Sequence, residues 1–271
     1  MMQSELEYFI AEDAGEDIYP GIIGNKHCRA VIKANEPGVI AGVSEACQIF
    51  KYFDNTEIIH QVTDGASVGK NTTILETSGR ADETLKGERL ALNFIGRMSG
   101  IATLTHTFKK LAGNTVIAAT RKTTPGFRKF EKKAVILGGG DPHRYNLSDM
   151  VMIKDNHIKL LGIEQAVKNA KKIAGFTRKI EIEIEQVKDA VLAARLGVDI
   201  IMLDNCTPEQ IRAIMELLEK ENLREKITLE ASGNINTKNI KEYAATGVDV
   251  ISIGSLTHSA AWLDVSMSIL D

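Results

Sequence analysis

From residue 114 onward, short runs of aliphatic and β-branched residues alternate with longer stretches whose apolar positions recur every three or four residues. The strand-like runs are NTVIAAT (114–120), MVMIK (150–154), KIEIEI (179–184), VDIIMLD (198–204), KITLEAS (226–232) and VDVISIG (248–254). The stretches FRKFEKKAVIL, IEQAVKNAKKIA, QVKDAVLAARLG, TPEQIRAIMELLEKEN, NTKNIKEYAATG and SLTHSAAWLDVSMSIL carry helical spacing. Thr207-Pro208 supplies an N-cap with Pro at the first helical position, and Gly197 and Gly247 stand where left-handed helix ends are expected. Strands and helices alternating at these lengths predict right-handed βαβ units and a parallel sheet. No GxGxxG appears, so a (β/α) barrel short of eight strands is predicted over an open dinucleotide-binding sheet.

The first hundred residues have another rhythm. CRAVIKANEPGVIAG (28–42) and IIHQVTDGASVGKNTTILETSG (58–79) read as short strands with tight turns. Helices are predicted from near Ser44, with Ser44 as N-cap, and from near Thr84, the latter carrying ETLKGERLALNFIGRMSG (83–100). The expected organisation is a small α+β domain over residues 1–100 and a barrel over 101–271, within the α/β class.

The stretch IEIEIE (180–185) alternates strictly. Helices cover the outer face of a parallel barrel, so the isoleucines point outward and Glu181, Glu183 and Glu185 inward. Unpaired carboxylates there would each cost several kcal/mol, so cations, a metal or a polar ligand must meet them. Arg121 and Lys122 follow the first strand, and Lys154 ends the second. His143 and Arg144 lie in a Gly-rich turn, and Asp204 ends the fourth strand. Ser232 and Gly233 follow the fifth strand, and Gly254, Ser255 and His258 follow the sixth. Barrel chemistry sits at the C-terminal ends of strands, with phosphate commonly in the last two loops. Single residues of this set have plain readings as ion pairs or turn chemistry, and His157 reads as structural. The Lys-Arg run at 128–133 reads as a solvated helix face. Their convergence describes a pocket for a small polyanion with Mg²⁺.

Composition narrows the classes. The chain has 271 residues, 44% hydrophobic and 25% charged, with a formal net charge of −3. That charge provides no general attraction for nucleic acid or an anionic membrane. Cys28, Cys47 and Cys206 have no CxxC spacing and read as free thiols of a reducing compartment. The N-terminus has no cationic region ahead of an apolar run, and no stretch of about 18 apolar residues occurs, so a cytoplasmic location is expected.

In this order, TRKTTPG, GGGxxHR, IKDNH, EIEIE, IMLDN, EASG and GVDVISIGSLTHS resemble the quinolinate phosphoribosyltransferase family, the decarboxylating nicotinate-nucleotide pyrophosphorylases. ERLALNFIGRMSGIATLT (88–105) matches the segment ahead of the barrel. The resemblance runs from about Phe9 to Leu270. It implies an open-faced α/β sandwich followed by an incomplete barrel, a dimer or a hexamer of dimers, and Mg²⁺. The implied reaction is a pentosyl transfer of NAD biosynthesis: quinolinate and phosphoribosyl pyrophosphate give nicotinate mononucleotide, pyrophosphate and CO₂. By the same resemblance, Arg121, His143 and Arg144 bind the two quinolinate carboxylates, and Arg89 enters the partner subunit's site. Lys122 and Lys154 lie near the carboxylates and pyrophosphate, and Glu183 and Asp204 near the ribose and Mg²⁺. Ser232, Gly233, Gly254, Ser255 and His258 form the 5′-phosphate loops.

Three positions depart from the family pattern. GGGxNHR is here GGGDPHR, GDITT is EDIYP (16–20), and Asn234 replaces the second glycine of SGG. Pro142 removes a backbone donor. It keeps alive a related pyrophosphorylase acting on another aromatic carboxylate, of the molybdate-transport-linked type. More distant alternatives are a Schiff-base aldolase using Lys154 or Lys122 and a non-catalytic anion-binding homologue.

Overall fold

A computed structural model describes residues 1–15, 22–24, 26–53 and 56–270; the EDIYP departure lies outside the described residues. The chain forms two compact units. The first comprises Met1–His106, Lys129–Gly139 and Ser259–Asp271, and the second Thr107–Arg128 and Gly140–His258.

The first unit holds α1 (Gln3–Ala14), β1 (His27–Ala34), β2 (Gly38–Val39), α2 (Val43–Tyr52), β3 (Thr56–Gln61), β4 (Ser67–Val68) and β5 (Thr73–Arg80). The long helix α3 (Ala81–Ala112) begins here, and α4 (Arg128–Leu137) belongs here as well. The final strand of the chain, Val265–Leu270, pairs antiparallel with β1, giving the order final strand, β1, β5, β3. Ile32, Ile74 and Leu75 of the sheet share one core with Phe50 of α2 and Ile95 of α3.

Three expectations change in this unit. The helix predicted from Ser44 begins at Val43 behind Gly42, whose φ is 92° and whose added Cβ would lie 2.8 Å from the Phe94 carbonyl oxygen. Asp64 takes the Val43 N–H at 2.9 Å and the Ser44 N–H at 3.3 Å, so the cap comes from a distant loop. The run at 128–133 is not a solvated face. Glu131 is fully buried and accepts from Arg97 at 2.5 Å, Lys132 is buried, and Lys133 reaches Glu45 at 2.8 Å. Charged residues can be buried here because they are paired, and Phe130 packs edge-on against Phe94 with centroids 5.0 Å apart. Lastly, the helix predicted over 255–270 ends after one turn. VSMSIL alternates apolar and polar positions, a strand period, and Val265 and Met267 pack on the core.

The second unit is a single row of parallel strands: β6 (Val116–Ala118), β7 (Val151–Ile153), β8 (Ile180–Ile184), β9 (Ile200–Asp204), β10 (Thr228–Ser232) and β11 (Val250–Ser252). Their spatial order is β6, β11, β10, β9, β8, β7. The sequence neighbours β6 and β7 therefore end the row, and among the described residues no ladder joins them, leaving an incomplete barrel. Asp141 instead makes a bridge beside Ala118 of β6. Helices α5 (Asp155–Leu161), α6 (Ile163–Ala174), α7 (Val187–Arg195), α8 (Pro208–Lys220), α9 (Ile240–Ala244) and α10 (Ser255–His258) follow the strands. Ile180, Ile182 and Ile184 are buried, as the outward-facing reading requires. Thr207 caps α8 by accepting the Gln210 N–H, Gly197 and Gly247 have φ of 69° and 87°, and His157 Nδ1 accepts the Lys154 N–H as a structural cap of α5.

Candidate active site

The register of the parallel strands sets one face of residues two apart: Met152 beside Glu181, Glu183 beside Met202, Met202 beside Glu230, Asp204 beside Ser232, and Ser232 beside Ser252. Apart from Glu181, these side chains line a cavity of about 450 Å³. Arg121, Lys122, His143, Arg144, Lys154, Glu183, Asp204 and Ser232, all expected from the sequence, line it together with Thr120, Glu230 and Ser252. Lys154 Nζ meets Glu183 Oε1 at 2.5 Å.

The cationic side has unspent capacity. The buried Nε of Arg121 has no hydrogen-bond acceptor. Burial, and then the guanidinium of Arg121, pull Arg144 below its ordinary range. Two guanidiniums held close together are relieved by an anion, and their planar forks match carboxylate geometry.

The turn carrying His143 and Arg144 is built from its own groups. Asp141 N–H donates to Ile117 at 2.7 Å, and Asp141 Oδ1 accepts the His143 N–H at 2.6 Å. Pro142 has no N–H to satisfy. His143 takes φ of 52°, and its Nδ1 accepts the Arg144 N–H at 2.7 Å.

Of the expected phosphate loops, Ser232 lines the cavity, while Gly233, Gly254, Ser255 and His258 are not among its lining residues. Gly233 has φ of 96°, and an added Cβ would lie 2.2 Å from Asn205 Oδ1. Asn234 adopts φ of 53° and donates to Asn205 at 3.1 Å, so asparagine fits the left-handed position where the family pattern has glycine. Gly254 packs against His258 Nε2 and the Lys122 stem, where an added Cβ would lie 3.1 Å from each, and Ser255 starts α10. Thr257 Oγ1 donates to the Lys122 carbonyl at 2.7 Å and pins the two loops together. Arg89 is exposed on α3 in the other unit and is not among the lining residues.

Sequence reasoning missed Glu230 and misjudged two further carboxylates. The alternation of IEIEIE points Glu181 and Glu185 inward, to be met by cations, a metal or a polar ligand. Glu185 instead lies exposed beyond the end of β8. Glu181 is fully buried, with His143 Nε2 at 3.6 Å and with neither oxygen hydrogen-bonded. Burial, then Glu230, push its carboxyl up to about 8. Glu230 stands two residues before Ser232 in β10, so the strand period alone could have found it.

Family models named quinolinate phosphoribosyl transferase, N-terminal and C-terminal domains, match residues 13–99 and 101–268. A probable nicotinate-nucleotide pyrophosphorylase (carboxylating) of Archaeoglobus fulgidus is 46% identical over 92% of this chain and 96% of its own. The human nicotinate-nucleotide pyrophosphorylase (carboxylating) is 35% identical over 97% of this chain and 90% of its own. A crystal structure of NadC from Streptococcus pyogenes superposes with a TM-score of 0.91 at 38% identity, covering 99% of this chain and 96% of that one. Matched in both halves and along nearly its whole length, the chain belongs to the quinolinate phosphoribosyltransferase family.

Proposed function

We propose that this chain is a carboxylating-type nicotinate-nucleotide pyrophosphorylase, converting quinolinate and phosphoribosyl pyrophosphate to nicotinate mononucleotide, pyrophosphate and CO₂ in NAD biosynthesis. The observation that carries this is the cavity itself: two arginines and two lysines face Glu183 and Asp204 in one pocket of a member of this family.

Arg121 and Arg144 grip the carboxylates of quinolinate, with Lys122 beside them. The Ser232-Gly233 and Gly254-Ser255-His258 loops receive the 5′-phosphate, and Lys154 faces the pyrophosphate. As the C1–O bond to pyrophosphate breaks, positive charge grows on the ribose, and the fixed carboxylates of Glu183 and Asp204 stabilise it. The pyridine nitrogen then bonds to C1. The cationic ring accepts the electron pair released as the 2-carboxylate leaves as CO₂, and a proton takes its place. Glu183 and Asp204 offer the hard oxygen donors that Mg²⁺ prefers and would hold the ion. The ion would neutralise charge on the departing pyrophosphate. Lys154 is ion-paired with Glu183 rather than isolated in an apolar pocket, which disfavours a Schiff-base role.

The active protein is a homodimer or a larger assembly of dimers, in which Arg89 completes the partner's site. Its location is the cytoplasm. Free Cys28, Cys47 and Cys206 support that placement, and among the described residues no helix is long and apolar enough to cross a membrane.

The test supplies Mg²⁺, phosphoribosyl pyrophosphate and either quinolinate or nicotinate, and follows pyrophosphate and CO₂ together. Equimolar CO₂ and pyrophosphate from quinolinate, with little release from nicotinate, is expected. Turnover only with another aromatic acid would move the Asp141-Pro142 turn to a different specificity.

A further inference from the structure

His143 stands at the junction of three hydrogen bonds, and they determine its chemical form. Its Nδ1 accepts the backbone N–H of Arg144 at 2.7 Å, so that nitrogen carries a lone pair. A neutral imidazole must then carry its proton on Nε2, and Nε2 lies 3.2 Å from Glu230 Oε2. Its own backbone N–H is held by Asp141.

We propose that Glu230 is a positioning residue: by accepting the Nε2–H of His143 it locks the ring's tautomer and the left-handed turn, and so sets where Arg144 points. The inference deepens the reading above and rests on it for the identity of the acid. To the acid-binding part that the resemblance implies for His143 it adds a second, the support of its neighbour. Glu230 is suited to this task because it is 2% exposed and fixed within β10, paired on both sides by β9 and β11. A buried anion facing one ring N–H favours a single orientation of that ring. The same cluster could suggest a cation site, since ligand atoms of His143, Glu181 and Glu230 lie within 4.8 Å of one another. The tautomer opposes that reading, because an N–H rather than a lone pair faces the two carboxylates.

Two variants and one spectrum test the proposal on the full-length enzyme. Glu230→Met removes the acceptor, and Glu230→Gln keeps an acceptor oxygen at nearly the same volume. Misplacing one arm of a bidentate clamp should raise the quinolinate KM about tenfold or more in Glu230→Met. The phosphoribosyl pyrophosphate KM should stay within about twofold, and Glu230→Gln should recover most of the loss. Independently of activity, ¹⁵N spectra of histidine-labelled enzyme should show the ring assigned by a His143→Gln control as the neutral Nε2–H form in the wild type and in Glu230→Gln. A doubly protonated or Nδ1–H ring in the wild type overturns the proposal. So does an unchanged quinolinate KM in Glu230→Met, or an equal rise for both substrates. If Glu230→Met fails to fold, the wild-type spectrum and the Glu230→Gln kinetics still decide it. Absence of wild-type turnover with quinolinate would overturn the functional reading instead, leaving the spectrum to judge the tautomer.

Discussion

Along β8, Glu181 is buried beside Glu230, Glu183 reaches the cavity and Lys154, and Glu185 lies exposed past the strand's end. The same residue type therefore meets three environments within five positions. Glu183→Ala should lower kcat by about 10²–10³-fold, the scale of one lost electrostatic contact to a transition state. Glu185→Ala should change kcat by less than about twofold, as exposed substitutions away from the site usually do. Equal losses in steady-state assays of both variants would take Glu183 away from the reaction centre. Glu181 makes a statement about pH. Its folded carboxyl is raised from 4.5 to about 8, so between those values the native state holds a proton that the unfolded chain has lost. Its contribution to stability is thus greatest at the acid end and falls as pH rises through this window. Glu181→Gln should flatten that part of the plot of Tm against pH, and an unchanged slope would place the titrating group elsewhere.

At the scale of elements, the helices and strands of the barrel were readable because each depends on residues a few positions apart. Thr207-Pro208, Gly197 and Gly247 act within one turn of themselves. The cap of α2 was not readable. It comes from Asp64, some twenty positions downstream, and nothing near Ser44 signals it. Glycines on α3 show the same dependence on distant chain. At Gly100 an added Cβ would lie 1.9 Å from the Ala261 carbonyl oxygen, and Leu263 N–H donates to the Gly96 carbonyl at 3.0 Å. Gly100→Ala should destabilise the protein by about 1–3 kcal/mol or more, since backbone must move to admit the methyl. Thermal unfolding measures this directly, and a wild-type Tm would mean that the 259–263 segment shifts freely.

At the scale of the whole molecule, the prediction concerns copies of the chain. If Arg89 completes a partner's site, Arg89→Ala and Lys154→Ala chains should each be nearly inactive alone. Coexpressed, so that about half of the dimers are hybrids, they should recover about a quarter of wild-type activity, because one of the two sites of each hybrid carries both native residues. A mixture as inactive as its components would confine Arg89 to its own chain, or remove it from the reaction.

The sequence by itself determined the parallel barrel, the inward line of Glu181 and Glu183, and eight of the residues that meet in the cavity. It could do so because strand period, helix caps and glycine turns are local, and because barrel strands deliver their ends to one rim. The tertiary structure decided what depends on partners remote in sequence. It placed α4 in the first unit, where Arg97, Glu45 and Phe94 make burial of a charged run tolerable. It made 265–270 a strand by offering the open edge of β1. It also brought Glu230 within hydrogen-bonding distance of His143, 87 residues away along the chain, and so chose which nitrogen of that ring carries the proton.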